Sequence, residues 1–209
     1  MINTYLIVIL VKDEFFFLRV KSMVENNILF NINNEDFKIT ILTTGGTIEK
    51  TYDEIEGLLE NKKSIFQQKI LAKLRLPNTE INVKPILAKD SLFMDDNDRE
   101  IIFQSILSEQ KTSLAILILH GTDTMSVTAE YCFNKFKENN LLKVPVVFTG
   151  AMIPLGFDDS DSTQNVVEAL LCTKYIPLGI YVSFHNQIFK VPNVQKNKLK
   201  GTFEKKYDN

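Results

Sequence analysis

From Phe37 onward the sequence predicts an α/β fold, a parallel, Rossmann-like sheet in three layers with helices on both faces. Three observations carry this. Strand and helix patterns alternate along the chain, which implies right-handed βαβ units. The run Leu114–Leu119 is almost wholly apolar, as expected of a central parallel strand covered on both sides. Several apolar runs also end abruptly in loops of glycine, hydroxyl and charge, the usual composition at the carboxyl edge of such a sheet.

The elements follow in order. Residues 1–36 are read as an N-terminal extension of uncertain structure, with candidate strands at Leu6–Val11 and Phe15–Val20 around a charged turn. The α/β domain is expected over 37–198, and its first strand is Ile39–Leu42. The polar stretch Lys50–Leu59 reads as irregular loop. Ile65, Phe66, Ile70, Leu71 and Leu74 recur at helical spacing, with Pro77 as a stop. Glu80–Leu87 alternates as a strand. The acidic Asp95-Asp96-Asn97-Asp98 suits the start of the helix marked by Ile102, Phe103, Ile106 and Leu107, because acidic groups favour the positive end of a helix dipole. Met125, Ala129, Cys132 and Phe136 share one helix face. Val144–Phe148 is a strand. Val166, Val167, Leu170 and Leu171 mark a helix entered through Ser160-Asp161-Ser162 as candidate caps, and Leu178–Phe184 is the last clear strand. The polar tail, 199–209, is expected to fray.

Composition excludes several classes. The chain has 209 residues, 44% apolar and 24% charged, with net charge −2. A chain of this size buries roughly 70% of its unfolded surface and needs no metal or disulfide to hold a core. No basic stripe marks a nucleic-acid surface. The apolar run Tyr5–Val11 is too short to span a bilayer and lacks the flanks of a secretory signal. Cys132 and Cys172 lack metal-ligand spacing and read as free thiols in a reducing, cytoplasmic compartment.

Chemistry concentrates in four loops: Thr44-Gly45-Gly46-Thr47, Lys89-Asp90-Ser91, His120-Gly121-Thr122-Asp123-Thr124, and Thr149-Gly150-Ala151-Met152. Together they predict a polar pocket at one sheet edge. No Ser-His-Asp arrangement, phosphate loop, dinucleotide fingerprint or zinc cluster can be placed, and no cofactor or metal is expected. What remains is threonine, tyrosine, aspartate and lysine. A hydroxyl nucleophile needs a neighbouring base, and a buried lysine can act as one. His120 is expected to orient its loop through a ring hydrogen bond. Phe93, Phe157 and Phe184 are expected to pack.

Thr43-Thr44-Gly45-Gly46-Thr47-Ile48 and His120-Gly121-Thr122-Asp123-Thr124-Met125 resemble the two signature stretches of the bacterial-type L-asparaginases. Phe148-Thr149-Gly150-Ala151-Met152, with Asp161 and Asn165, is similar to a third block. The resemblance implies hydrolysis of the side-chain amide of L-asparagine, or of a related small amide, through an acyl-threonine. It implies Thr47 as nucleophile, Tyr52 as a tyrosine that helps activate it, and Thr122, Asp123 and Lys196 as the group that polarises the attacking hydroxyl or the hydrolytic water. Gly46, Ser91, Gly121, Thr122 and Asp123 are the implied substrate contacts. Oxyanion donors are sought in the Gly45-Gly46 turn or in a main-chain N–H near Thr122. Asp123 favours a charged Lys196, whereas burial favours a neutral one. Capping of a helix starting near Thr124 is the structural alternative for Thr122 and Asp123.

Two departures from the family bear on function. Leu92 stands where many members carry a polar residue. The chain also ends shortly after Lys196, where members continue into a second α/β domain that closes a neighbour's pocket. The expected partners are therefore a small amino-acid amide and further copies of the chain in a homo-oligomer, dimer or higher, with no nucleic acid and no membrane. The alternatives are a domain of little activity that binds or senses a small amino acid, and a subunit of a larger amidotransferase.

Overall fold

β-Branched residues suit a pleated, half-buried surface, and the segment around Ile39, Thr40 and Ile41 opens the sheet in the computed structural model, which describes residues 36–60 and 65–206. The strands expected at Leu6–Val11 and Phe15–Val20 lie outside the described residues. In chain order the elements are β1 (Phe37–Thr43), β2 (Thr51–Asp53), β3 (Leu58–Glu60), α1 (Phe66–Lys69), β4 (Thr79–Pro85), α2 (Asp96–Glu109), β5 (Ala115–Leu119), α3 (Met125–Asn139), β6 (Val146–Thr149), α4 (Ser162–Tyr175), β7 (Ile180–Phe184), β8 (Gln187–Lys190), β9 (Val194–Asn197) and β10 (Thr202–Lys205).

Six strands form the main sheet in the order β4-β1-β5-β6-β7-β8. All neighbours are parallel except β7 and β8. Every residue of β5, β6 and β7 is buried. Side chains alternate between faces along a strand. Ile116 and Ile118 therefore join the core with Ile102, Ile106, Met125, Ala129, Cys132 and Phe136 of α2 and α3. Leu117 and Leu119 join the opposite core with Phe66, Ile70, Val166 and Leu170. This is the three-layer arrangement.

The acidic start of α2 does more than complement a dipole. Asp95 accepts from the Asn97 and Asp98 amides, and Asp98 accepts from the Asp95 amide, a reciprocal capping box.

Three segments differ from the sequence reading. Lys50–Leu59 is not irregular, because β2 and β3 pair as an antiparallel hairpin. Its side chains are largely exposed, so no apolar alternation announces it. The helix expected over Ile65–Leu74 shrinks to α1 and a 3-10 turn at Leu71–Lys73. Only Phe66 and Ile70 are fully buried there, and Leu74 and Leu76 reach the same core beyond the turn. The tail expected to fray instead carries β10, which pairs with β9 in an antiparallel ribbon that continues beyond residue 198. Val194 and Phe203 are its buried residues, too few to give a readable period.

Candidate active site

β4 lies on one side of β1 and β5 on the other, so the strand order reverses there. The crevice outside the carboxyl ends of strands at such a reversal is where open α/β sheets bind ligands. The loops that follow β1 and β5 are those of Thr47 and Thr122.

These loops touch backbone to backbone. A Cβ added to Gly46 would lie 2.5 Å from the Cα and N of Gly121. A Cβ on Gly121 would in turn lie 2.5 Å from Ser91 Oγ, and one on Gly150 would strike the His120 carbonyl. All four loops picked out in the sequence thus converge, with a glycine at each near approach. Thr47 and Thr122 directly follow two glycines in contact. Thr44 fixes the first loop by donating its hydroxyl and its amide to the Leu119 carbonyl, at 3.0 and 3.1 Å.

Lys196, on β9, reaches the His120–Thr124 loop from 74 residues beyond Thr122 along the chain. Its Nζ donates to Thr122 Oγ1 at 2.8 Å and to Asp123 Oδ1 at 2.9 Å. Lys196 is largely enclosed and Asp123 about a third exposed. Because the ammonium occupies the Thr122 oxygen as an acceptor, the Thr122 proton is directed elsewhere. Neither Thr122 nor Asp123 caps α3: the N-cap is Thr124, without a side-chain cap bond. Thr124 donates instead to the Ser91 carbonyl at 2.8 Å, tying the His120–Thr124 loop to the Lys89–Ser91 loop.

The other implied residues divide. Thr47 sits at the start of a 3-10 turn, Thr47–Glu49, and is partly exposed. Tyr52 lies on the β2–β3 hairpin, 61% exposed, and its hydroxyl makes no hydrogen bond among the described residues. Ser91 is buried, and its Oγ lies against Gly121 with no hydrogen-bond partner among the described residues. Of the two oxyanion donors sought, the Gly45 amide is already engaged by Glu49 Oε2 at 2.8 Å.

His120 is fully buried and its Nδ1 bonds the Gly121 carbonyl at 2.8 Å. A carbonyl only accepts, so Nδ1 carries the proton and Nε2 is bare. Burial pushes this ring down to about 4, and the Arg99 charge adds to the effect. His120 is therefore a neutral brace for the loop. Phe184 packs in the core, whereas Phe93 is 75% and Phe157 47% exposed.

The sequence reading does not single out Lys50 or His185. Lys50, just after the Thr47–Glu49 turn, pairs with Asp90 of the Lys89–Ser91 loop at 2.6 Å. Burial raises the Asp90 carboxyl, but hydrogen bonds from Lys50 and the Leu92 amide, with the charges of Lys50 and Lys196, outweigh it and hold it low. Lys50 sits close to Thr47 in the chain, and that proximity is the available signal. His185 offers none, since its partners are distant in the chain. Asp161, expected as a helix cap, stands at the N-cap position of α4 without a side-chain cap bond, and its carboxylate instead accepts from the Met152 and Ile153 amides, from the Asn165 side chain and from His185. A groove of about 410 Å³ between β4 and α2 is lined by Lys84, Glu100 and Glu109 among others and by none of these residues.

Comparison with known proteins agrees with this fold. Residues 38–204 match the family model "Asparaginase, N-terminal". The chain is 30% identical over 162 residues to an L-asparaginase of Thermococcus kodakarensis, covering 76% of this chain and 47% of that protein. It is 32% identical over 138 residues to one of the subunits of the glutamyl-tRNA(Gln) amidotransferase of Thermoplasma acidophilum, covering 65% of this chain and 32% of the relative. The solved structure of the thermostable L-asparaginase from Thermococcus kodakarensis superposes with a TM-score of 0.68 at 28% identity, over 80% of this chain and 51% of that one. The chain spans about half the length, or less, of these proteins.

Proposed function

The chain belongs to the asparaginase family, and on that premise we propose that it hydrolyses the side-chain amide of L-asparagine, or of a related small amide, to L-aspartate and ammonia. The observation that carries the proposal is the Lys196 ammonium bridging Thr122 and Asp123, at 2.8 and 2.9 Å, in a loop packed against the Thr47 turn.

In the proposed reaction the Thr47 hydroxyl oxygen attacks the amide carbon. Its proton passes through the Thr122–Lys196–Asp123 group to the leaving nitrogen. The C–N bond breaks, ammonia departs and an acyl-threonine remains. Water then attacks the same carbon, the bond to Thr47 breaks, and a proton returns to the threonine oxygen. Atoms balance without a metal or cofactor. Asp123 anchors the lysine while Thr122 relays its polarisation, so the cation faces the developing negative charge. Tyr52 helps activate Thr47 by accepting a hydrogen bond from its hydroxyl before the proton leaves, in a hairpin conformation that brings its phenol to the threonine. Gly46, Ser91 and Gly121 complete the substrate contacts of the proposal, with Ser91 engaging the substrate carboxylate once its loop admits the ligand.

The proposal extends to a homo-oligomer, dimer or higher, in a cytoplasmic, reducing compartment. The exposed Leu92 and Phe93 beside Ser91, at 61% and 75%, support association, and the two buried free cysteines support the compartment. Light scattering tests the oligomer: a strict monomer overturns that part.

Ammonia release from asparagine, glutamine and simple amides is the test, with Thr47→Ala and Lys196→Met beside the parent. Turnover lost in both variants is the expected result. Turnover retained by Thr47→Ala overturns the acyl-threonine, and no turnover on any amide overturns the hydrolase. The likeness to an amidotransferase component supports a second reading, in which the same chemistry supplies ammonia within a larger assembly. Co-purification of a partner protein with the tagged chain tests it.

A further inference from the structure

The β9–β10 ribbon that carries Lys196 is a separate two-stranded sheet. Among the described residues, its side-chain hydrogen bonds to the α/β body come from two residues. One is Lys196 itself, bonded to Thr122 and Asp123. The other is Thr202 on β10, whose Oγ1 meets His185 Nδ1 at 3.0 Å. Thr202 pairs with Asn197 in the ribbon register, next to the Phe203–Lys196 pair. The second anchor is therefore one residue along the ladder from the candidate catalytic lysine.

His185 is unusually well fixed for a turn residue. Its Nε2 bonds Asp161 Oδ2 at 2.9 Å and its amide donates to Asn165 Oδ1 at 3.1 Å. Its ring lies 4.4 Å, centroid to centroid, from Phe184, which packs at 5.0 Å on Phe203 of the ribbon. Its φ is +46°, a left-handed conformation that is uncommon without glycine and is retained where the surroundings determine it. The partners are themselves held. Asp161 accepts from the Met152 and Ile153 amides, and Asn165 donates to the Gly150 carbonyl at 3.0 Å and to Asp161 at 2.8 Å. Both ring nitrogens are thus engaged, one by the fourth site loop and the start of α4, the other by the ribbon.

We propose that His185 is a positioning residue for Lys196: bridging Asp161 and Thr202, it docks the β9–β10 ribbon so that the lysine meets Thr122 and Asp123. It rests on the proposed role of Lys196 and extends it, since His185 touches neither Thr47 nor the implied substrate contacts. A ring bonded on both sides transmits position from the fourth loop to the ribbon. A ribbon held by Val194 and Phe203 alone has apolar anchors, which resist removal but do not fix register, because apolar contact is non-directional.

The test uses the full chain and two readouts. Acetic anhydride labelling of Lys196, followed by mass spectrometry, reports whether the ammonium stays docked, whatever the activity. Steady-state ammonia release from asparagine reports kcat and KM. Thr202→Val removes the hydroxyl with little change of shape, Thr202→Ser restores it, and His185→Ala removes the whole bridge. Thr202→Val and His185→Ala are expected to raise Lys196 labelling about fivefold, the factor one ordinary net hydrogen bond is worth. They are expected to lower kcat about tenfold or more with KM changed less, as misplaced catalytic groups do, while Thr202→Ser behaves as the parent. Labelling and kcat unchanged in Thr202→Val overturn the proposal, even if His185→Ala fails to fold. A parent without turnover overturns the hydrolase reading alone, and the labelling arm still decides the positioning role.

Discussion

Gly46 offers the sharpest test of how the site is assembled. It has φ 81° and ψ −176°, a region essentially reserved for glycine, and holding another residue there costs on the order of 1–3 kcal/mol. Gly46→Ala also inserts a methyl 2.5 Å from the Cα and N of Gly121, where carbon contacts ordinarily sit at about 3.5–4.0 Å. The obstacle is backbone, so no side chain can swing away and one loop must move by about 1 Å. Overpacking of that kind costs about 1–3 kcal/mol. The sum is about 2–6 kcal/mol of lost stability, and the same displacement separates Thr47 from Thr122, worth about 100-fold in turnover. Two controls divide the effects. Gly57→Ala has positive φ, +67°, but its methyl meets only the Tyr52 hydroxyl at 3.9 Å, and Gly156→Ala meets nothing within 4 Å. Urea denaturation is expected to rank Gly46→Ala well below Gly57→Ala, with Gly156→Ala near the parent. Ammonia release should be lost in the first variant even under conditions where it stays folded. A Gly46→Ala protein within about 0.5 kcal/mol of the parent, the range of innocuous surface changes, would refute the packed-loop argument.

Three further outcomes are expected. His120 is buried and neutral, with a pKa lowered from 6.5 to about 4. Because this folded value is depressed, its stabilisation is complete above pH 6.5 and falls between pH 6.5 and 4 as the unfolded ring takes up a proton, by about 3 kcal/mol in all. His120→Gln should flatten that part of the stability–pH curve measured by urea unfolding. Asp95→Ala removes one half of the α2 capping box and should cost about 1 kcal/mol in the same assay. Burial raises both thiols, Cys172 to about 12, so iodoacetamide at neutral pH should label neither cysteine until the protein is unfolded; prompt labelling of the native chain would contradict the burial.

Local patterns in the sequence reveal the elements whose residues answer to their own neighbours. The apolar run at β5 requires two covered faces, and the Met125–Phe136 spacing requires a helix. Gly46, Gly121 and the threonines after them stand at strand ends, so their chemistry can be read from composition and order. The β2–β3 hairpin and the β9–β10 ribbon escape such a reading because few of their side chains are buried, and period carries no signal without burial. Asp161 reads as a cap because local preference favours that use, but its carboxylate is taken by two loop amides and by His185.

What the sequence alone determined is the α/β class, the polar sheet edge and the identity of the groups at it, since these depend on residue type and on separations of a few positions. What only the tertiary structure decided is which groups meet. Lys196 reaches Thr122 from 74 residues away, His185 reaches Thr202 across a separate ribbon, and Ser91 is enclosed beneath Gly121. Contacts of that range depend on the packing of whole layers, and the cost of closing such loops is met by apolar cores that no short stretch of sequence contains.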